Sequence, residues 1–104
     1  VNPTSGEVWT VDMGYAAKVR PCLVVSRQPG DNDRMLFTVI PMTTSCYGNE
    51  YEVEHHCHQL KGVFNVQAIV TVPKSDFIRR IANVNSEDYS LVISKLCIWL
   101  DLSN

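Results

Sequence analysis

Three stretches of the 104-residue chain carry residue types that can act on a phosphate. In Val19-Arg20-Pro21 a guanidinium stands directly before a proline. Pro21 lacks the N–H that a central strand needs, so it belongs at a strand's first residue or edge, and Arg20 then sits at the rim of the sheet. Arg20 is either a solvated surface charge or a cation aimed at an anion. The guanidinium suits the second role because it stays charged and donates to several oxygens at once. Pro41-Met42-Thr43-Thr44-Ser45 places three hydroxyls after an apolar run, which reads as a hydroxyl-rich turn or as a set of donors for a phosphate. In the third stretch, Asn65, Gln67 and Thr71 alternate with Phe64, Val66, Ala68, Val70 and Val72. One strand over 63–72 would bury the apolar row and leave the polar row facing water or a ligand.

A fourth stretch, His55-His56-Cys57-His58, raises metal binding. On a strand, His56 and His58 would share one face, and His55 and Cys57 the other. Structural zinc takes four ligands, usually as two separated pairs, so a further ligand such as Cys46 would have to join them. A polar loop or strand end fits the spacing better, and no metal is expected. The chain has no Walker A motif, no G-x-G-x-x-G and no G-x-S-x-G, which excludes the usual nucleotide and serine-hydrolase sites.

These residues need elements to hold them. Trp9, Val11 and Met13 alternate with Val8, Thr10 and Asp12, the pattern of a strand. Cys22–Val25 is continuously apolar, as in a strand covered on both faces, and Leu36–Thr43 forms another that ends at Pro41 or soon after. Tyr51 and Val53 alternate with Glu50, Glu52 and Glu54, a half-exposed edge strand whose glutamates oppose edge-to-edge pairing. The stretch 77–84 reads as a helical turn followed by a strand. Asn85 is an N-cap with Glu87 and Asp88 in the first turn. Tyr89, Val92, Ile93, Leu96 and Leu100 then form a helical apolar stripe. The expected fold is mainly β with a C-terminal helix, a bent antiparallel sheet or barrel with the helix packed on it.

Composition sets the outer bounds. Nine Lys and Arg against eleven Asp and Glu give a net charge of −2, and 45% of the residues are hydrophobic. That excludes intrinsic disorder and a generic nucleic-acid-coating polycation, but not a local basic site. Residues 1–104 are expected to form one domain. No apolar run reaches the roughly 20 residues of a membrane helix, and the polar start shows no signal-peptide pattern. Cys22 and Cys97 read as small core residues in a reducing cytoplasm.

The chain resembles the MazF/PemK toxin family. The resemblance is carried by Gly6-Glu7-Val8-Trp9, by Arg20 to Ser26, by Val39-Ile40-Pro41-Met42-Thr43-Thr44 and by Gly62 to Gln67. The 71–80 stretch and the C-terminal amphipathic helix follow in the same order. It implies an SH3-like barrel of the CcdB/PemK type with a C-terminal helix, usually as a homodimer. It also implies a cytoplasmic, metal-independent endoribonuclease acting on single-stranded RNA and neutralised by an antitoxin, with no cofactor. Arg20 and Thr43 stand where the family's catalytic Arg and Thr stand, and Lys18, Thr44, Ser45, Asn65 and Gln67 are the expected substrate-binding residues. Two departures are visible. The 14–19 loop is shorter than the gating loop of many members, and Ala68-Ile69 replaces a basic residue common after the Gln67 position.

In metal-free RNA cleavage the nucleophile is the substrate's own 2′-hydroxyl, and the enzyme's task is to stabilise the phosphorane. Arg20 and Thr43 suit that task as donors. Proton transfer falls to Arg20, a histidine or water. Two rivals share the fold. One is a gyrase poison like CcdB, to which Ile98-Trp99-Leu100 points, and the other is a member without catalysis that only binds. Trp9, Trp99, Leu91, Ile98 and Leu102 exceed what one small core needs, which leads to the expectation of a homodimer.

Overall fold

The computed structural model describes residues 2–14 and 18–102. Among the described residues, seven strands precede one α-helix. They are β1 (Glu7–Asp12), β2 (Val19–Val24), β3 (Leu36–Thr43), β4 (Glu52–Val53), β5 (Val63–Asn65), β6 (Val70–Pro73) and β7 (Phe77–Asn83), and the helix is α1 (Ser86–Trp99). The sheet runs β4-β5-β3-β2-β1-β7, with β6 also paired to β3, and every pairing is antiparallel. No pairing joins β4 to β7 among the described residues, so the bent sheet stays open along that seam.

The alternation read from the sequence is what divides the core. On β1, Val8 points into one buried cluster and Val11 into another, with Trp9 and Met13 packed on the second. β2 serves both clusters, Leu23 entering the first and Cys22 and Val24 the second. This is why the run is continuously apolar. The first cluster, with Ile40, Phe64 and Val66, lies under α1 and receives Val92. Complete burial of a side chain such as Phe64 stabilises the fold by about 1.5–3 kcal/mol.

The single strand expected over 63–72 is interrupted. Val66–Ala68 form a 3-10 turn between β5 and β6. Both strands pair with β3, but Met42 faces Phe64 whereas Val39 faces Val70, so three steps along β3 correspond to six on its partner. The extra residues are the turn. The apolar row is consequently split, with Phe64 and Val66 in the first cluster and Val70 and Val72 in the second. Ile69, which falls between Gln67 and Thr71 in the alternation, packs on the first cluster.

At the start of α1 the Asn85 side chain accepts from the Asp88 N–H at 2.7 Å, the expected cap. The helix ends at Trp99, and Asp101 takes a left-handed φ of 58°. Leu100, placed on the apolar stripe by sequence, is therefore beyond the helix and exposed.

Candidate functional site

β2 and β3 part company at the residues of interest. The β2–β3 ladder begins only at the Cys22–Pro41 rung, while Val19, Arg20 and Pro21 pair with β1 alone. Pro21 is thus the third residue of its strand, not the first, and it is tolerated because that side is an edge. The gap opens a cavity of about 300 Å³ that Arg20 and Thr43 line together, with Lys18, Thr44 and Lys61. The guanidinium is held toward β3, where its Nη1 donates to the Met42 carbonyl at 3.4 Å.

Two further cavities adjoin this one at Thr43. One, of about 400 Å³, lies between Arg20, Thr43, Asn65 and Val70. The other, of about 370 Å³, is walled by Thr43, Ser45, Asn65 and Gln67. The 3-10 turn is what brings Gln67 there, by bulging out beside the end of β3. All seven residues expected at the site therefore line one or another of three cavities that have Thr43 in common. Thr71, which shared their alternation, does not. It bonds Thr38 at 2.8 Å, hydroxyl to hydroxyl, on the β3–β6 pair. Within the 14–19 loop, residues 15–17 lie outside the described residues, while Lys18 reaches the first cavity.

The hydroxyls are not equivalent. The Thr43 oxygen accepts from the Ser45 N–H at 3.0 Å, which turns the chain back and leaves the Thr43 O–H to donate. Thr44 faces the first cavity and Ser45 the third. Gly62 is required beside them. Its φ is +93°, and a Cβ there would collide with the Thr43 carbonyl. In sequence, Lys61-Gly62 carries only an ordinary turn signal, which shows neither the place of the cation nor the close approach.

Cys22 lies two residues from Arg20 in sequence, but it is fully buried. Burial pushes its thiol up to about 12, against the opposing pull of the Arg20 charge. None of the three histidines lines a cavity that holds Arg20 or Thr43. His56 is instead bound to Asp88 at the start of α1, with its Nδ1 2.8 Å from one carboxylate oxygen and its N–H donating to the other at 2.8 Å. Burial pushes the Asp88 carboxyl up, but these bonds outweigh it and hold the group below its ordinary value. The hydrogen bond to Asp88 raises His56 in turn. Ligand atoms of His56, Glu87 and Asp88 lie within 4.8 Å of one another, the only such potential metal-ligand group among the described residues. The expected run of His55 to His58 thus does not act as a unit, and Cys46 is not part of the group. The four cysteines are free.

The family model described as PemK-like, MazF-like toxin of type II toxin–antitoxin system matches residues 4–100. A Mycobacterial endoribonuclease in complex with its cognate antitoxin is similar at 22% identity and TM-score 0.84, with 98% of each chain covered. A MazE–MazF complex from Deinococcus radiodurans is similar at 21% identity and TM-score 0.84, with 99% of each chain covered. MazF alone from that organism gives 24% identity and TM-score 0.82, over 97% of this chain and 98% of the other. No curated protein matches the sequence.

Proposed function

The chain belongs to the PemK-like, MazF-like toxins of type II toxin–antitoxin systems, and from that premise we propose that it is a metal-independent endoribonuclease that cleaves single-stranded RNA in the cytoplasm. The observation that carries this is the charge of the first cavity. Lys18, Arg20 and Lys61 line it with the Thr43 and Thr44 hydroxyls, and among the described residues no carboxylate does. In a protein of net charge −2, that is where a phosphate is favoured.

The RNA 2′-oxygen attacks the adjacent phosphorus and loses its proton to solvent. The bond to the 5′-oxygen breaks, and that oxygen takes up a proton. The products are a 2′,3′-cyclic phosphate and a 5′-hydroxyl. Arg20 and the Thr43 O–H donate to the non-bridging oxygens as charge accumulates on them. Arg20 stays protonated throughout. Lys18 and Lys61 attract the backbone. Asn65 and Gln67, uncharged, line the route of the bases. Single-stranded RNA fits because its bases are free to turn outward.

Residues 1–104 act as one domain in a homodimer, to which exposed Ile98, Trp99 and Leu102 contribute apolar surface. A cognate antitoxin restrains the activity, a reading supported by the Mycobacterial neighbour, an endoribonuclease in complex with its own cognate antitoxin. Incubation with a mixed RNA pool in EDTA tests the proposal. Fragments with 5′-hydroxyl ends support it. Intact RNA with gyrase-dependent DNA breaks would replace it with gyrase poisoning, and neither activity would leave a binding protein. Light scattering at micromolar concentration tests the dimer, and a monomeric mass rejects it.

A further inference from the structure

The loop after Thr43 is built around one carboxylate. Glu52, on β4, accepts from the Tyr47 N–H at 2.9 Å to each of its oxygens, from the Gly48 N–H at 2.6 Å and from the Asn49 N–H at 3.3 Å. Gly48 permits this convergence with a φ of +80°. Asn49 completes the frame. Its side-chain oxygen accepts from the Tyr51 N–H at 2.9 Å, and its amide nitrogen donates to the Gln67 side chain at 3.4 Å. The Tyr47 N–H holds the Glu52 carboxyl below its ordinary value, with Gly48 and Asn49 assisting against a smaller effect of burial. Its charge is thus met by three backbone donors.

Tyr47 is the anomaly. Its N–H is held by this frame, yet the residue is 87% exposed. The ring stands at the cavity shared by Thr43, Ser45, Asn65 and Gln67. That wall has aromatic, amide and hydroxyl groups and the Glu52 carboxylate, but no lysine or arginine, so it is unsuited to a phosphate. The cations are gathered in the adjoining cavity instead.

We infer that Tyr47, with Asn65 and Gln67, forms the subsite for the unpaired base next to the scissile phosphate, and that Glu52 is the positioning residue that presents Tyr47 to it. The reading rests on RNA cleavage at Thr43. An aromatic face accepts any base by stacking, and the two amides distinguish base edges by which atoms donate and which accept. Glu52 lines the same cavity, but its oxygens are turned to the Tyr47, Gly48 and Asn49 N–H groups. It acts by keeping the ring in place before RNA arrives.

The test compares wild type, Tyr47→Phe, Tyr47→Ala and Glu52→Gln on short single-stranded RNAs that carry 2-aminopurine beside the cleavage site. In one set a 2′-deoxy sugar at the cleavage position prevents reaction, so that stacking is read by fluorescence quenching without turnover. Wild type and Tyr47→Phe should quench alike. Tyr47→Ala should lose the quench and raise KM roughly tenfold to a hundredfold, the range for one stacked base, with kcat much less affected. Glu52→Gln should raise KM by a smaller factor and broaden the preferred sequence, with its melting temperature close to that of wild type. Quenching and KM for Tyr47→Ala within twofold of wild type would overturn the subsite while leaving RNA cleavage intact. Wild type that quenches but never cleaves would overturn the cleavage reading and keep the base subsite.

Discussion

Two grooves of opposite chemistry run along this molecule, and the larger is not the candidate site. Between β4 and α1 lies a groove of about 820 Å³ lined by Glu50, Glu52, Glu54, Glu87 and Asp88, with Lys95 as its one lysine or arginine. The cavity at Arg20 is about 300 Å³ and reverses that balance. Both are open surface features, so size alone would select the wrong one for RNA. What separates them is how their charges are used. Asp88 is buried and bonded twice to His56, tying the loop after β4 to α1, and Lys95 reaches Glu50 at 3.5 Å. In the Arg20 cavity the charges lie at the end of a strand ladder where the sheet opens, with a donor hydroxyl beside them. One groove is mostly acidic and carries ion pairs that join elements, and the other gathers cations beside donor hydroxyls.

Substitutions on the two sides should therefore fail in different ways. Arg20→Ala should lower RNA cleavage a hundredfold or more, equivalent to about 3–4 kcal/mol of lost transition-state stabilisation. Its melting temperature should remain near that of wild type, since Arg20 sits at the open edge and fills no core space. Near-normal cleavage by the folded variant would end its catalytic assignment. Thr43→Val keeps the shape and removes the hydroxyl, and should cost about tenfold to a hundredfold in kcat, the worth of one hydrogen bond to a charged group. Thr43→Ser should recover most of that loss. If Ser is no better than Val, the hydroxyl does not act in the reaction.

Asp88→Ala reverses the pattern. It strands the His56 N–H and should destabilise the fold by about 1–3 kcal/mol in a urea melt, while cleavage per folded molecule stays unchanged. An activity loss beyond the unfolded fraction would join the two grooves and break the comparison. The smallest effect concerns pH. Asp88 is lowered from 3.8, so its contribution is complete above that value and is lost as pH falls through the lower folded value. His56 is raised from 6.5, so its contribution is complete below that value and is lost as pH rises through the higher folded value. The pair thus supports the fold fully between 3.8 and 6.5. Wild type should lose more stability than His56→Gln on going from about pH 5.5 to about pH 8.5. Equal losses would show that this pair does not set the slope.

The same contrast marks what the sequence makes legible. β1, β2 and β3 follow from alternation and from an apolar run, because strand faces repeat every two residues and each face here meets a core. Arg20 and Thr43 are visible through their neighbouring prolines and through family resemblance. The turn at Val66–Ala68 is hidden because its apolar and polar residues keep a strand's rhythm while the register with β3 slips. Asp88 reads as a helix N-terminal acid, and only the fold shows it turned toward His56, 32 residues away in sequence. Glu52 reads as one of three solvated glutamates. The signal for its role was local but weak, a glutamate closely following Tyr47-Gly48-Asn49.

The most direct test of the account uses the substrate as the variable. A single-stranded RNA cleaved by the wild-type protein in EDTA is resynthesised with one 2′-deoxy sugar, placed immediately 5′ of the scissile phosphate. If the RNA supplies its own nucleophile in the Arg20–Thr43 cavity, that one bond becomes uncleavable. The modified strand should still compete with unmodified RNA for the enzyme at similar concentration, since its phosphate and bases are unchanged. Cleavage at the deoxy position would mean that water or a protein group attacks the phosphorus, and would contradict the mechanism assigned to this site.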